Sequence, residues 1–280
     1  MRFANKVAIV TGAGGGIGKV TALLLAAQGA FVAVNDLDEA AALSSVADIR
    51  SAGGQALAIP GDASDETVAA QAVAEVMQAR DRIDILVNNA GVSVVAPAED
   101  FLAWDRVLRI NLYSQFFWSK AVAKAAMIPA ARGAIINVAS IAGLAAVPHQ
   151  LGYVVSKHGV IGLTRSLAVE WGRYGLRVNC VCPGITATDL TTGADGMASE
   201  RLRARIARVP LGRMGTAQEQ AEAIAFLASD EASYLTGLIL NADGGQMALH
   251  SGVMILEDRF RRLASAVSGA AAFGARARKE

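Results

Sequence analysis

Two cysteines, three histidines and six prolines are all of these types that 280 residues contain, and each scarcity removes a class of answer. Cys180 and Cys182 stand one residue apart in a strand-like run, so their side chains share a face. That spacing is neither a CxxC redox pair nor a metal cluster, which leaves two small core residues. His149, His158 and His250 lack the close spacing of a zinc site with a supporting carboxylate, and no metal is expected. Charge of one sign is also lacking: 26 Lys and Arg meet 25 Asp and Glu, interspersed, so no basic face exists to follow a phosphate backbone and nucleic acid is not an expected partner. The apolar share is 53%, yet charged residues or glycines interrupt every apolar run before the ~18 to 20 residues of a bilayer span. The N-terminus passes from one apolar tetrapeptide straight into glycines, without a long apolar signal core or a small-residue cleavage site; a cytoplasmic location is the expectation.

What is present is a regular alternation. Strand-like runs at 7–10, 31–34, 56–59, 85–87, 134–138, 177–181 and 238–240 are separated by helix-length segments. Their near-continuous apolar character predicts strands covered on both faces, hence an α/β, doubly wound, seven-stranded and mostly parallel sheet of Rossmann type in a single domain. Residues 1–248 are read as the nucleotide-binding catalytic domain, with the polar stretch 186–209 as a substrate lid after a strand end. Residues 249–280 are read as an extension holding an amphipathic helix, with Leu256, Phe260, Leu263 and Val267 on one stripe.

The first run enters Thr11-Gly12-Ala13-Gly14-Gly15-Gly16-Ile17-Gly18 and then a helical segment. Glycines at such a turn admit a pyrophosphate close to the backbone, and a helix N-terminus offers N–H groups and partial positive charge. Gly12, Gly16, Ile17 and Gly18 are the candidate contacts. Asp36 closes the second run, where a carboxylate accepts from the adenosine ribose hydroxyls and repels a 2′-phosphate. Leu37 follows it, no cation lies within 13–16, and Lys19 sits inside the helix as an imperfect substitute, so the expected cofactor is NAD rather than NADP. Asp62 with Ala63, and Asn88-Asn89-Ala90-Gly91, stand at later strand ends where open sheets bind ligands, although such residues also favour turns for local reasons.

Ser140 ends the fifth run, and Tyr153 and Lys157 follow four residues apart in a helical segment. This spacing puts phenol and ammonium on one face. A fixed ammonium and a positively charged nicotinamide are together expected to bring the phenol's pKa toward the working range, making Tyr153 the general acid/base while Ser140 holds the substrate oxygen.

With these elements assembled, the chain resembles the short-chain dehydrogenase/reductase family over about the first 247 residues. The likeness is carried by Thr11 to Gly18, Asp62, Asn88 to Gly91, Asn111, Ser140, Tyr153-Val154-Val155-Ser156-Lys157, Pro183-Gly184, Thr188 and Ala242-Asp243-Gly244-Gly245. It implies that Asn111 distorts its helix and seats a water that joins Lys157 to solvent. It also implies that the backbone of Pro183, Gly184 and Thr186 and the Thr188 hydroxyl hold the nicotinamide carboxamide. Thr186 departs from the Val or Ile common in the family, which a backbone contact tolerates.

The expected pocket wall is apolar: Val92, Val94 and Val95, then Leu144, Val147, His149, Gln150 and Leu151, then Leu190 and Met197 in the lid. No Arg or Lys stands among these residues, so the expectation is a neutral secondary alcohol or ketone interconverted by an NAD-dependent oxidoreductase. His149 is either a substrate contact or a loop residue. Two alternatives stand beside it: an NADPH-preferring 3-oxoacyl thioester reductase, and a nucleotide-sensing regulatory protein without catalysis. Consecutive Phe116, Phe117 and Trp118 on a helix diverge by about 100° each and need a second burying surface, which suggests a homodimer. The family resemblance suggests a dimer of dimers.

Overall fold

The computed structural model describes residues 1–188, 191 and 200–249. The predicted tail beyond residue 249 and residues 189, 190 and 192–199 of the predicted lid, including Leu190 and Met197, lie outside the described residues.

Seven strands form one sheet: β1 Val7–Thr11, β2 Phe31–Asn35, β3 Gln55–Ala58, β4 Ile85–Asn88, β5 Gly133–Val138, β6 Leu176–Pro183 and β7 Ile239–Ala242. Their order is β3-β2-β1-β4-β5-β6-β7, and every pairing is parallel. The sheet is thus wholly rather than mostly parallel. The order reverses between β1 and β4, which opens a crevice at the carboxyl ends of those strands.

The helices are α1 Gly16–Ala27, α2 Glu39–Ser51, α3 Glu66–Arg80, α4 Trp104–Leu108, α5 Ser114–Val122, α6 Leu151–Trp171, α7 Glu200–Ile206 and α8 Ala217–Ala228. They cover both faces, as the continuous apolar strands require. Alternation along β1 shows the division: Ala8 and Val10 join Leu25, Val46 and Ile224 beneath α1, α2 and α8. Val7 and Ile9 join Val73, Trp118 and Leu167 beneath α3, α5 and α6. Trp118 is fully buried while Phe116 stays 39% exposed, so the aromatic triplet divides between core and surface. No helix among the described residues is long and apolar enough to cross a membrane.

Helix starts differ in a way that matters for the site. Asp38 accepts from the Ala41 N–H to cap α2, Asp65 accepts from the Thr67 N–H to cap α3, and Thr216 forms a capping box with Glu219 on α8. The start of α1 is Gly15, which has no side chain to cap it. The first N–H groups of a helix have no partner within it, and those of α1 open toward the crevice.

Candidate active site

The glycine turn is built by its neighbours. Asn89 Nδ2 donates to the carbonyls of Thr11 (3.0 Å) and Gly12 (2.9 Å), while the Thr11 hydroxyl accepts from the N–H groups of Asn89 and Ala90. Gly12 has φ +61°, in the left-handed region. A Cβ on Gly18 would lie 2.2 Å from the Gly12 carbonyl oxygen, so turn and helix meet backbone to backbone and no larger residue fits.

Asp36 is held at the mouth of this turn. Its Oδ2 accepts from the Gly14 N–H at 2.8 Å and its Oδ1 from the Asp38 N–H at 3.1 Å. Lys19 is drawn away to Asp48, at 2.7 Å. A hollow of about 410 Å³ runs from Gly12, Gly16 and Asp36 past Asp62 and Ala63 to Asn89 and Gly91. Leu37 borders it, 73% exposed. Arg106, one turn before Ile110 on α4, is the one cation among its described lining residues. Open helix donors, glycines where side chains would intrude and a fixed carboxylate suit a dinucleotide. Asn88 does not share this role: its amide donates to Ser119 and Asn137 within the sheet interior, and it is buried.

Tyr153 and Lys157 share a face of α6. Lys157 is buried and its Nζ donates to the Val138 carbonyl at 2.9 Å, 5.6 Å from the centre of the Tyr153 ring. Burial lowers the ammonium's pKa to about 8. Burial also pushes the Tyr153 phenol up; the Ser140 hydroxyl, within hydrogen-bond reach, and the charge of Arg205 oppose this only in part. In the protein without the nicotinamide charge, on which the expected lowering also depends, desolvation of the phenol dominates. Ser140 also accepts from the Ala142 N–H to start a short 3-10 turn, Ile141–Gly143.

Asn111 lies fully buried in a π-helical turn, Arg109–Tyr113, between α4 and α5, which is the helix distortion that the resemblance implied. Its amide accepts from the Val92 N–H (2.8 Å) and donates to the Val92 carbonyl (2.9 Å) and the Ser156 hydroxyl (3.0 Å). It therefore ties the loop after β4 to α6. Cys180 and Cys182 are buried against Val160 and Ile161, as two small core residues should be.

Between Gly91 and Ser140 lies a small hollow of about 110 Å³, bordered by Tyr153, Lys157, Pro183, Gly184, Thr186 and Thr188. It shares Gly91, Asn89 and Thr188 with the nucleotide-sized hollow, and Ser140, Tyr153 and Gly184 with a third of about 680 Å³. The small hollow thus links the larger two, and Ser140 and Tyr153 stand where it opens into the third.

In the third hollow the sequence expectations divide. Val147, His149 and Gln150 line it, and His149 has φ +62°, a costly conformation for a residue with a Cβ. Val92 instead borders the nucleotide-sized hollow. Val94, Val95, Leu144 and Leu151 border none of the three; Val95, Leu144 and Leu151 are exposed, because apolar character in a loop does not dictate which way it faces. The expectation of a wall without cations is overturned: Arg205 and Arg208 both line the third hollow. They sit some fifty residues beyond Tyr153, in the stretch 186–209 read from sequence as a substrate lid, whose arginines were not counted in the wall. Gly18 lies behind the turn, buried. No group of His, Cys, Asp and Glu among the described residues could hold a metal ion.

A family model described as enoyl-(acyl carrier protein) reductase matches residues 12–247. The chain is 39% identical over 250 residues to a 3-oxoacyl-(acyl-carrier-protein) reductase of Thermotoga maritima, covering 88% of this chain and 99% of that one. It is 39% identical over 246 residues to a cyclohexanol dehydrogenase of Acinetobacter sp., covering 87% and 95%. A solved Agrobacterium tumefaciens structure, provisionally described as a 2-deoxy-D-gluconate 3-dehydrogenase and holding bound NADP, superposes with a TM-score of 0.81 at 36% identity, over 89% of this chain and 99% of that one.

Proposed function

The chain belongs to the short-chain dehydrogenase/reductase family of oxidoreductases, which use a nicotinamide cofactor, and from that premise we propose that it interconverts a secondary alcohol and a ketone with NAD. The observation that carries this reading is that Ser140 and Tyr153 border both the third hollow and the small hollow that links it to the nucleotide-sized one. When bound, the nicotinamide supplies the hydride acceptor or donor. The chain's residues supply the proton chemistry. In the reducing direction the Tyr153 phenol, kept protonated by burial, donates its proton to the oxygen that was the ketone, and Ser140 donates a second hydrogen bond to that oxygen. In the oxidising direction Tyr153 must first lose its proton and then accept the carbinol's. Lys157, with a pKa near 8, is the adjacent group able to exchange a proton at a working pH. Asn111 acts at one remove, fixing the Gly91–Val92 backbone beside Lys157.

NAD is favoured over NADP because the Asp36 carboxylate is fixed beside the glycine turn and Lys19 is committed to Asp48. Tyr113 and Phe116, 45% and 39% exposed, support a homo-oligomer that buries this face. A panel of secondary alcohols with NAD, followed by absorbance of the reduced cofactor, tests the reading. Tyr153→Phe should reduce turnover by about 10² to 10⁴-fold or more while NAD binding stays within a few-fold. Full activity in this variant would end the assignment, and faster turnover of a 3-oxoacyl thioester with NADPH would replace it.

A further inference from the structure

The nucleotide-sized hollow has a fixed floor, an apolar side and one group without a structural duty. The floor is the turn after β3. Asn35, fully buried at the end of β2, donates from Nδ2 to the carbonyls of Ile59 (3.0 Å) and Gly61 (3.1 Å), and the Gly61 N–H donates to the Asp36 carbonyl at 2.9 Å. Asp62 accepts from the Ser64 N–H at 2.8 Å. These bonds fix Asp62 and Ala63, which border the hollow beside Asp36. The side is made by Ala63 and Ala90, both buried, and by half-buried Ile110.

The remaining group is Arg106. It and Ile110 both border the hollow, so α4 and the π-helical turn after it present the two on one face. The backbone there is anchored. Val107 and Leu108 are buried directly after Arg106, and Asn111 ties the following turn to Val92 and Ser156. Arg106 itself is exposed, and its guanidinium makes no hydrogen bond or ion pair among the described residues. Arg2, Arg82 and Arg213, by contrast, are paired with Glu231, Asp84 and Glu219. A long side chain with a fixed root and an unengaged head is suited to closing on a ligand.

We propose that Arg106 binds the cofactor, its guanidinium closing on the face of the adenine ring and holding the base against the turn after β3. The proposal rests on the nucleotide reading of this hollow made above. A dinucleotide laid with its pyrophosphate at the open start of α1 and its adenosine ribose at Asp36 brings the base to Ala63, Ala90 and Ile110. An aromatic base attracts a cation to its face, and the flat guanidinium stacks there as an ammonium does not. The pyrophosphate competes for a cation, but the N–H groups of the α1 start already answer it. Arg106 borders neither of the hollows that Ser140 and Tyr153 share, so it acts on cofactor affinity and leaves the proton transfer alone.

The test is binding to the full-length protein. NADH is titrated by calorimetry, and ADP and adenosine by their displacement of NADH. Arg106→Gln should weaken all three by a similar factor, about 2- to 30-fold, and Arg106→Lys, which keeps the charge but lacks the flat fork, should fall between. Adenosine carries no phosphate, so a loss shared by all three places the contact on the nucleoside. The unliganded variants should unfold at the temperature of the unmodified protein, because the exposed side chain has no partner to lose. NADH affinity unmoved in Arg106→Gln, or a loss for NADH and ADP with none for adenosine, would overturn the clamp and leave the dehydrogenase reading standing. NADH that fails to bind the unmodified protein would overturn both.

Discussion

Replacing Asp36 by Asn removes one charge and one acceptor. The Asn oxygen can still accept from the Gly14 N–H, which Asp36 now does at 2.8 Å, so the glycine turn keeps that bond, while the exposed Asp38 N–H gives up its bond to Oδ1. What goes is repulsion. A second anion about 5 Å from a carboxylate costs roughly 3 kcal/mol per unit charge at an effective dielectric near 20 and under about 1 kcal/mol in bulk water. Asp36 is half-buried, which places the cost at about 1 to 2 kcal/mol. A phosphate ester carries about −1.5 to −2 charges, so discrimination against a 2′-phosphate amounts to about 1.5 to 4 kcal/mol, or roughly 10- to 1,000-fold. The assay is kcat/KM for NAD and NADP with one alcohol at one ionic strength. The unmodified protein should favour NAD, and Asp36→Asn should lower the NAD-to-NADP ratio at least about tenfold. Asp36→Ala with Leu37→Arg should carry preference over to NADP by adding a cation. Faster turnover with NADP in the unmodified protein, or a ratio unchanged in Asp36→Asn, would refute the reasoning.

Burial lowers the Lys157 pKa from 10.5 to about 8, so the unfolded chain binds the extra proton between those values and stability rises with pH across that window, by about 3 kcal/mol in all. Lys157→Met should abolish the rise and be the more stable protein at pH 7, as read from urea unfolding at pH 7 and pH 10; Val138's carbonyl keeps a second donor in Gln115 Nε2. Alcohol oxidation in the unmodified protein should speed up with pH, because the buried phenol is slow to lose its proton; a flat profile from pH 6 to 10 would contradict this. Phe116→Asp should lower the mass seen by light scattering, since it puts a charge on the exposed aromatic face.

Most of the sheet was legible because buried parallel strands read as unbroken apolar runs. Several runs stop short of the true carboxyl ends, however. Thr11, Asn35, Asn88 and Pro183 extend the strands although polarity or a missing N–H hides them from an apolar count. The first three are buried, with Thr11 and Asn88 bonded to neighbouring backbone and side chains. The glycine turn, Asp36, Tyr153 and Lys157 were legible because their chemistry depends on local spacing. The cations of the third hollow were not: Arg205 and Arg208 line it only through the packing of Leu202, Ile206 and Val209 on Ile185. Nor could spacing reveal how deeply the Tyr153 phenol would be buried or that Lys157 would donate to Val138.

The bare start of α1 leaves a conflict between durability and use. Gly15 has φ −155° and ψ −179°, extended backbone that any residue adopts, and a Cβ there would meet nothing within 4 Å. Asp or Ser would therefore fit without strain and cap the helix, adding about 0.5 to 2 kcal/mol of stability. The same oxygen would answer the N–H groups that a pyrophosphate needs, and an Asp would bring negative charge to an anion's seat. Selection for heat resistance alone would arrive at that substitution and yield a tougher protein that has gone nucleotide-blind. Glycine at this position keeps the helix end hungry for its ligand, and each molecule of cofactor taken up should raise the unfolding temperature in place of the missing cap.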